Sequence, residues 1–127
     1  MYNAHQAYAN AAKTTESPRG REGQLLIKAA NKLSNIRDNF DKLSREEMNE
    51  ALTYNRKLWT IFSTSVSSAE NPLPLPIKNN IASLAVFIFK HQLSFMAKPE
   101  PTKLESLINI NRDIASGLFA NPNAPQS

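Results

Sequence analysis

The eight prolines of this chain fall at the edges of, or between, the stretches where apolar residues recur at helical spacing, and only three glycines accompany them. Proline lacks a backbone N–H and clashes with the preceding turn, so each cluster ends one helix and stiffens the connection to the next. Helices separated by rigid breaks follow, not the turn-rich alternation of a β protein. With 41% hydrophobic residues in 127, the chain suffices for one domain that buries roughly two-thirds of its unfolded surface. The expected fold is all-α, an up-and-down bundle of four long helices with a short N-terminal helix over residues 1–119. Residues 120–127, uncharged and with two prolines, are expected to be a disordered tail.

The elements follow from the apolar stripes. A weak Ala-rich amphipathic helix is expected from about Tyr2 to Lys13, packed on its own bundle, on a second copy or on a client. Ser17-Pro18 offers an N-cap and a first-turn proline to a helix reaching about Lys42, with the stripe Leu26, Ala29, Ala30, Leu33, Ile36 and Phe40. Gly20 and Gly23 weaken its start. Ser44-Arg45-Glu46-Glu47 has capping-box spacing and opens a third helix that buries Met48, Ala51, Leu52, Asn55, Leu58, Trp59, Phe62 and Val66. Asn71 to Pro76 should be an extended strap. The fourth helix, Ile77 to about Ala97, carries Ile77, Ile81, Leu84, Ala85, Ile88, Gln92 and Phe95 on one stripe, is apolar nearly all round and is expected to lie most centrally. Thr102-Lys103-Leu104-Glu105 again has capping-box spacing, before a fifth helix that turns Leu104, Leu107, Ile108, Asn111, Ile114 and Leu118 inward.

Two stretches nearly repeat each other, Leu52-Thr53-Tyr54-Asn55-Arg56-Lys57-Leu58 and Ile108-Asn109-Ile110-Asn111-Arg112-Asp113-Ile114. In each, an aliphatic residue stands three positions before the Asn and another three after it, which puts the amide on the buried stripe. A buried unpaired carboxamide costs ~1–3 kcal/mol. Asn55 and Asn111 should therefore bond to each other, to backbone or to trapped water, and set helix registry. On that reading, Asn111→Leu keeps the chain helical and even stabilises it while loosening the alignment.

Little else in the chain suggests chemistry. It has no cysteine, which removes disulfides, thiolate zinc sites and a cysteine nucleophile. His5 and His91 lie far apart without carboxylates at helical spacing, and the cluster Glu46, Glu47, Glu50 sits where acids favour a helix N-terminus. No glycine run is present to cradle phosphate. No enzyme, metal or cofactor is expected. The start of the sequence has neither a basic leader nor an apolar run, and Ile81 to Phe89 is about half of the ~20 residues that cross a bilayer. A cytoplasmic protein without membrane insertion is the expectation. The net charge is +4, but basic residues are scattered among acids. The aromatic-basic run Tyr54 to Trp59 has the composition of an RNA-stacking site, yet helical phase puts Trp59 in the core, so direct nucleic-acid binding is not expected. What remains is surplus apolar surface. Val86, Phe87, Phe89 and Leu93 exceed what one stripe needs, and they mark either a docking site for an amphipathic helix or a helix surrounded by its neighbours.

The two Asn-Arg motifs, with Asn71-Pro72-Leu73-Pro74 between them and Ser17-Pro18-Arg19 before them, together resemble the FlaF family of alphaproteobacterial flagellar biosynthesis regulators over about residues 1–119. The resemblance implies a cytoplasmic helper that promotes flagellin production and export, binds unpolymerised flagellin as a secretion chaperone, and acts alongside the translational regulator FlbT. The resemblance carries over no binding residues; the apolar surface itself leads to the expectation of a flagellin groove lined by some of Trp59, Phe62, Phe87, Phe89, Leu93 and Phe95. Two other roles are contact with flagellin messenger RNA and scaffolding of FlbT.

Overall fold

The computed structural model of the protein describes residues 18–120. Among them are four α-helices and one 3-10 turn, with no strand: α1 (Pro18–Asp38), α2 (Arg45–Ser67), α3 (Leu75–Ala97), the turn Pro101–Leu104, and α4 (Glu105–Ala120). The expected N-terminal helix, the Ser17 cap and all of the expected tail but Ala120 lie outside the described residues; Ala120 itself ends α4.

Successive helices run antiparallel. Cross-contacts pair the end of α1 with the start of α4 (Arg37 to Glu105) and, a turn earlier in α1, with the middle of α4 (Ser34 to Arg112), while Arg45 reaches Met96 and Lys78 reaches Ser68 across α2 and α3. The core is built on α1, whose Leu26, Ala29, Ala30 and Leu33 are fully enclosed between α2 and α4. Small side chains there and at Ala115 let the helix axes approach closely.

α1 ends at Asp38, four residues short of the expected Lys42. The Asn39 N–H still bonds the Asn35 carbonyl at 3.0 Å and its side chain donates to the Asn35 side chain at 2.7 Å, but beyond it Lys42 and Leu43 both turn back to the Asn39 carbonyl, which ends the chain of helical bonds in tight turns. Phe40 leaves the stripe but stays useful, packing edge-on against Phe95 at 6.4 Å. α2 opens as its sequence dictates. Ser44 Oγ accepts from the Glu47 N–H at 3.0 Å, and the Glu47 carboxylate accepts from the Ser44 N–H at 3.1 Å. All eight residues expected on its buried face are buried.

The strap is shorter than expected, because α3 starts at Leu75 and takes Pro76 into its first turn, where no N–H is needed. Asn71 holds the remainder, accepting from the Leu73 N–H and donating to Ser65 Oγ. The expected capping box at Thr102 is absent: a 3-10 turn leads into α4, with no side-chain cap at its start. Lys103 reaches back to the carbonyls of Ser94 and Lys98, satisfying the end of α3.

The largest correction concerns the position of α3. It packs chiefly on α2 and meets α4 at few points, so the most apolar helix is peripheral. Only Ala85, Ile88, Gln92 and Phe95 are buried along its 23 residues, and Ile77, expected inside, is exposed. No described helix is long and apolar enough to cross a membrane.

Candidate partner-docking groove

Beneath the α2–α3 seam runs a chain of hydrogen bonds with a fixed direction. Trp59 Nε1 donates to Asn111 Oδ1 at 2.8 Å, Asn111 Nδ2 to Asn55 Oδ1 at 2.7 Å, Asn55 Nδ2 to Gln92 Oε1 at 2.7 Å, and Gln92 Nε2 to the Leu52 carbonyl at 3.0 Å. An indole N–H only donates and a backbone carbonyl only accepts, so both ends dictate the orientation of all three amides between them. Asn55 and Asn111 thus meet directly, and Gln92, placed on a stripe by sequence but not read as a polar partner, completes the link from α4 through α2 to α3. No buried side-chain N or O among the described residues lacks a partner.

This chain bears on the groove expected from sequence. Trp59, Phe62 and Phe95 belong to the core, with Trp59 fully enclosed, its indole committed to Asn111 and its ring edge-on to Phe62 at 5.6 Å. They line no open groove in this packing, because Trp59 is tied to α4 through Asn111, Phe62 packs against it in the same core, and Phe95 packs edge-on against Phe40. Phe87 and Leu93 are exposed, and Phe89 is half-buried. Phe87 stacks on His91 at 5.1 Å, while the His91 ring pairs through Nε2 with the Lys103 carbonyl at 2.8 Å.

Between α2 and α3 there is a groove of about 240 Å³. Asn49, Leu52, Thr53 and Arg56 form one wall and Phe89, Gln92, Leu93 and Met96 the other, each set repeating at i, i+3, i+4 and i+7. That spacing arises because each helix presents one ridge to the seam. The space is smaller than an ordinary small-molecule pocket and opens along the helix axes. It suits a row of side chains from another helix. Sequence periodicity named Phe89 and Leu93 but missed Met96, whose exposed apolar side chain at one turn from Leu93 was the available signal. A larger depression of about 410 Å³ along α1 is lined by that helix alone and is an open flank.

The two Asn-Arg motifs diverge in their cations. Arg112 donates to Ser34 Oγ at 3.0 Å and ties α4 to α1. Arg56 is exposed at the groove wall. Arg37 is held by Asp38 and Glu105, each at 2.9 Å; these hydrogen bonds raise the Arg37 pKa above its ordinary value and, on the Asp38 side, lower the carboxyl below its own. Lys28 and Lys32 lie 5.6 and 5.2 Å from the centre of the Tyr54 ring, and with Trp59 enclosed, the aromatic-basic run offers no free pair of rings for stacking. Among the described residues no group of three or more His, Asp and Glu could hold a metal ion.

Fold and surface together define a class: a small antiparallel helical bundle, locked inside by amides and open to solvent along one apolar seam. The family model described as "Flagellar protein FlaF" matches residues 4–118, and the chain belongs to that family. Comparison with curated proteins and with solved structures gives no match.

Proposed function

We propose that this FlaF-family protein is a cytoplasmic secretion chaperone that promotes flagellin production and export by binding unpolymerised flagellin in the α2–α3 groove. The observation that carries the reading is the open apolar seam, where Leu93 is 66% exposed and Met96 43% exposed beside a cleft with helical periodicity on both walls. Isolated apolar side chains on a surface are ordinary, but a contiguous apolar strip marks a place where another chain packs. Flagellin carries terminal helical segments whose apolar faces are unsatisfied until they pack in the filament. A bundle offering a matching groove covers such a face, delays assembly and keeps the subunit fit for export.

Trp59, Phe62 and Phe95 then act from behind the groove by fixing its walls, while Phe89, Leu93 and Met96 make contact. Titration calorimetry of the full chain with unpolymerised flagellin is the test. Saturable binding with a negative heat-capacity change is expected, with Leu93→Glu removing it while the fold persists. No heat of binding at tens of micromolar, or unchanged affinity in the Leu93 variant, overturns the reading.

A further inference from the structure

The two Asn-Arg motifs put their amides in one hydrogen-bond chain but leave their cations in different states. Arg112 has Ser34. Arg56 has no acidic partner among the described residues, although it stands on the groove wall. Across the seam, Phe89 lies on the opposite wall, and Lys90 follows it, exposed and on the same outward ridge as Leu93 one turn later. Lys90 is likewise without an acidic partner among the described residues. The nearest acid earlier on α2, Glu50, is six residues from Arg56, about 9 Å along the axis. The groove is thus apolar along its length and flanked by two unmatched cations at one level.

We infer that the groove is selective for an amphipathic partner helix that carries acidic residues beside its apolar stripe, at the end lying between Arg56 and Lys90. The inference rests on the proposed docking function and adds what the groove recognises. Charge also decides against an occupant from this chain's own ends. Residues 1–17 carry a single acid, Glu16, close to Lys13, and residues 121–127 carry none, so neither segment supplies a set of acidic residues beside an apolar stripe. Apolar burial provides the affinity, and the two cations set the orientation and reject a basic helix.

The test uses the full chain and two synthetic helices about five turns long, labelled for fluorescence anisotropy. Both carry leucines at i, i+3, i+4 and i+7; one has glutamates flanking one end of the stripe, and its twin has lysines there. The glutamate peptide is expected to bind roughly tenfold more tightly at low ionic strength, with the gap closing as salt rises. Arg56→Glu combined with Lys90→Glu should reverse the preference, and the milder Arg56→Gln with Lys90→Gln should abolish it, with circular dichroism confirming the fold of each. Equal affinities for the twins, or a preference that the variants leave intact, overturn the inference. So does self-association in sedimentation that Leu93→Glu abolishes, because the groove then belongs to a second copy. Flagellin bound without any charge preference sinks this inference alone. Twins that discriminate while unpolymerised flagellin fails to bind support the inference and sink the proposed function.

Discussion

α1 and α3 are close in length, 21 and 23 residues, and opposite in character. α1 is largely polar, yet its narrow stripe is sealed between α2 and α4, with Leu26, Ala29, Ala30 and Leu33 wholly out of solvent. α3 is the most apolar helix, yet Leu75, Ile77, Val86, Phe87, Leu93 and Met96 remain exposed. The contrast shows that apolar content does not locate a helix at the centre of a fold. What places α1 inside is one continuous face of the right period with neighbours on both flanks; α3 has apolar residues all round but a partner chiefly on one side.

The largest effect is expected from the sealed side, where the buried amides join α4 to α2 and, through Asn55, to Gln92 of α3. Asn111→Leu removes an acceptor for Trp59 and a donor for Asn55, leaving two enclosed polar groups unpaired at ~1–3 kcal/mol each. The stabilisation expected from the sequence is therefore replaced by a predicted loss of roughly 2–6 kcal/mol in chemical denaturation. Making Asn55 and Gln92 apolar as well, with Trp59→Phe, should recover much of it, since no side-chain polar group of the network would then be orphaned and the Leu52 carbonyl, inside α2, keeps its helical N–H partner. A single Asn111→Leu as stable as the parent would show that the chain of bonds contributes nothing.

Glycine substitutions sharpen the comparison from the sealed side. Gly117, with open space around a built Cβ, should gain about 1 kcal/mol on replacement by Ala. Gly23 has the Phe119 ring within 2.8 Å of where a Cβ would stand, so Gly23→Ala should fall short of that gain in the parent and reach it only when measured in the Phe119→Ala background, whose own loss of packing is subtracted. Thermal melts of Gly117→Ala, Gly23→Ala, Phe119→Ala and the Gly23→Ala, Phe119→Ala double variant decide it. On the open side, Leu93→Glu is predicted to change stability by less than about 0.5 kcal/mol, because its side chain is already largely in water. A cooperative collapse of the fold would mean that α3 is held by its outer face after all.

The smallest effect is electrostatic. Hydrogen bonding to Arg37 depresses the Asp38 pKa in the folded state, so its contribution is present above the ordinary carboxylate range and lost as pH falls through the depressed folded value. Asp38→Asn should slightly flatten the acid limb of the stability profile below about pH 4. Both partners are solvated, so the change is slight.

Much of this molecule could be read before any coordinates. The Ser44 capping box and all eight buried positions of α2 followed from three-residue and four-residue spacing, which a helix converts directly into a face. The stop at Asp38 and the 3-10 turn at Pro101 did not, because they rest on which local backbone hydrogen bonds form, as where Lys42 and Leu43 both turn back to the Asn39 carbonyl. The candidate groove was legible only in its α3 half. Phe89 and Leu93 stood out as surplus, whereas Trp59, Phe62 and Phe95 lie in the core of this packing, because an aromatic on a stripe looks the same whether the stripe meets core or partner.

Periodicity and the cost of unpaired polar groups are local properties, so the all-α class, the helix faces and the need of two buried amides for partners are written in the order of residues. That Asn55 meets Asn111, that Gln92 and Trp59 close the hydrogen-bond chain, and that α3 lies at the edge came only with packing. Those outcomes depend on which faces share a seam once all the helices compete for the same interior, and no single stripe contains that information.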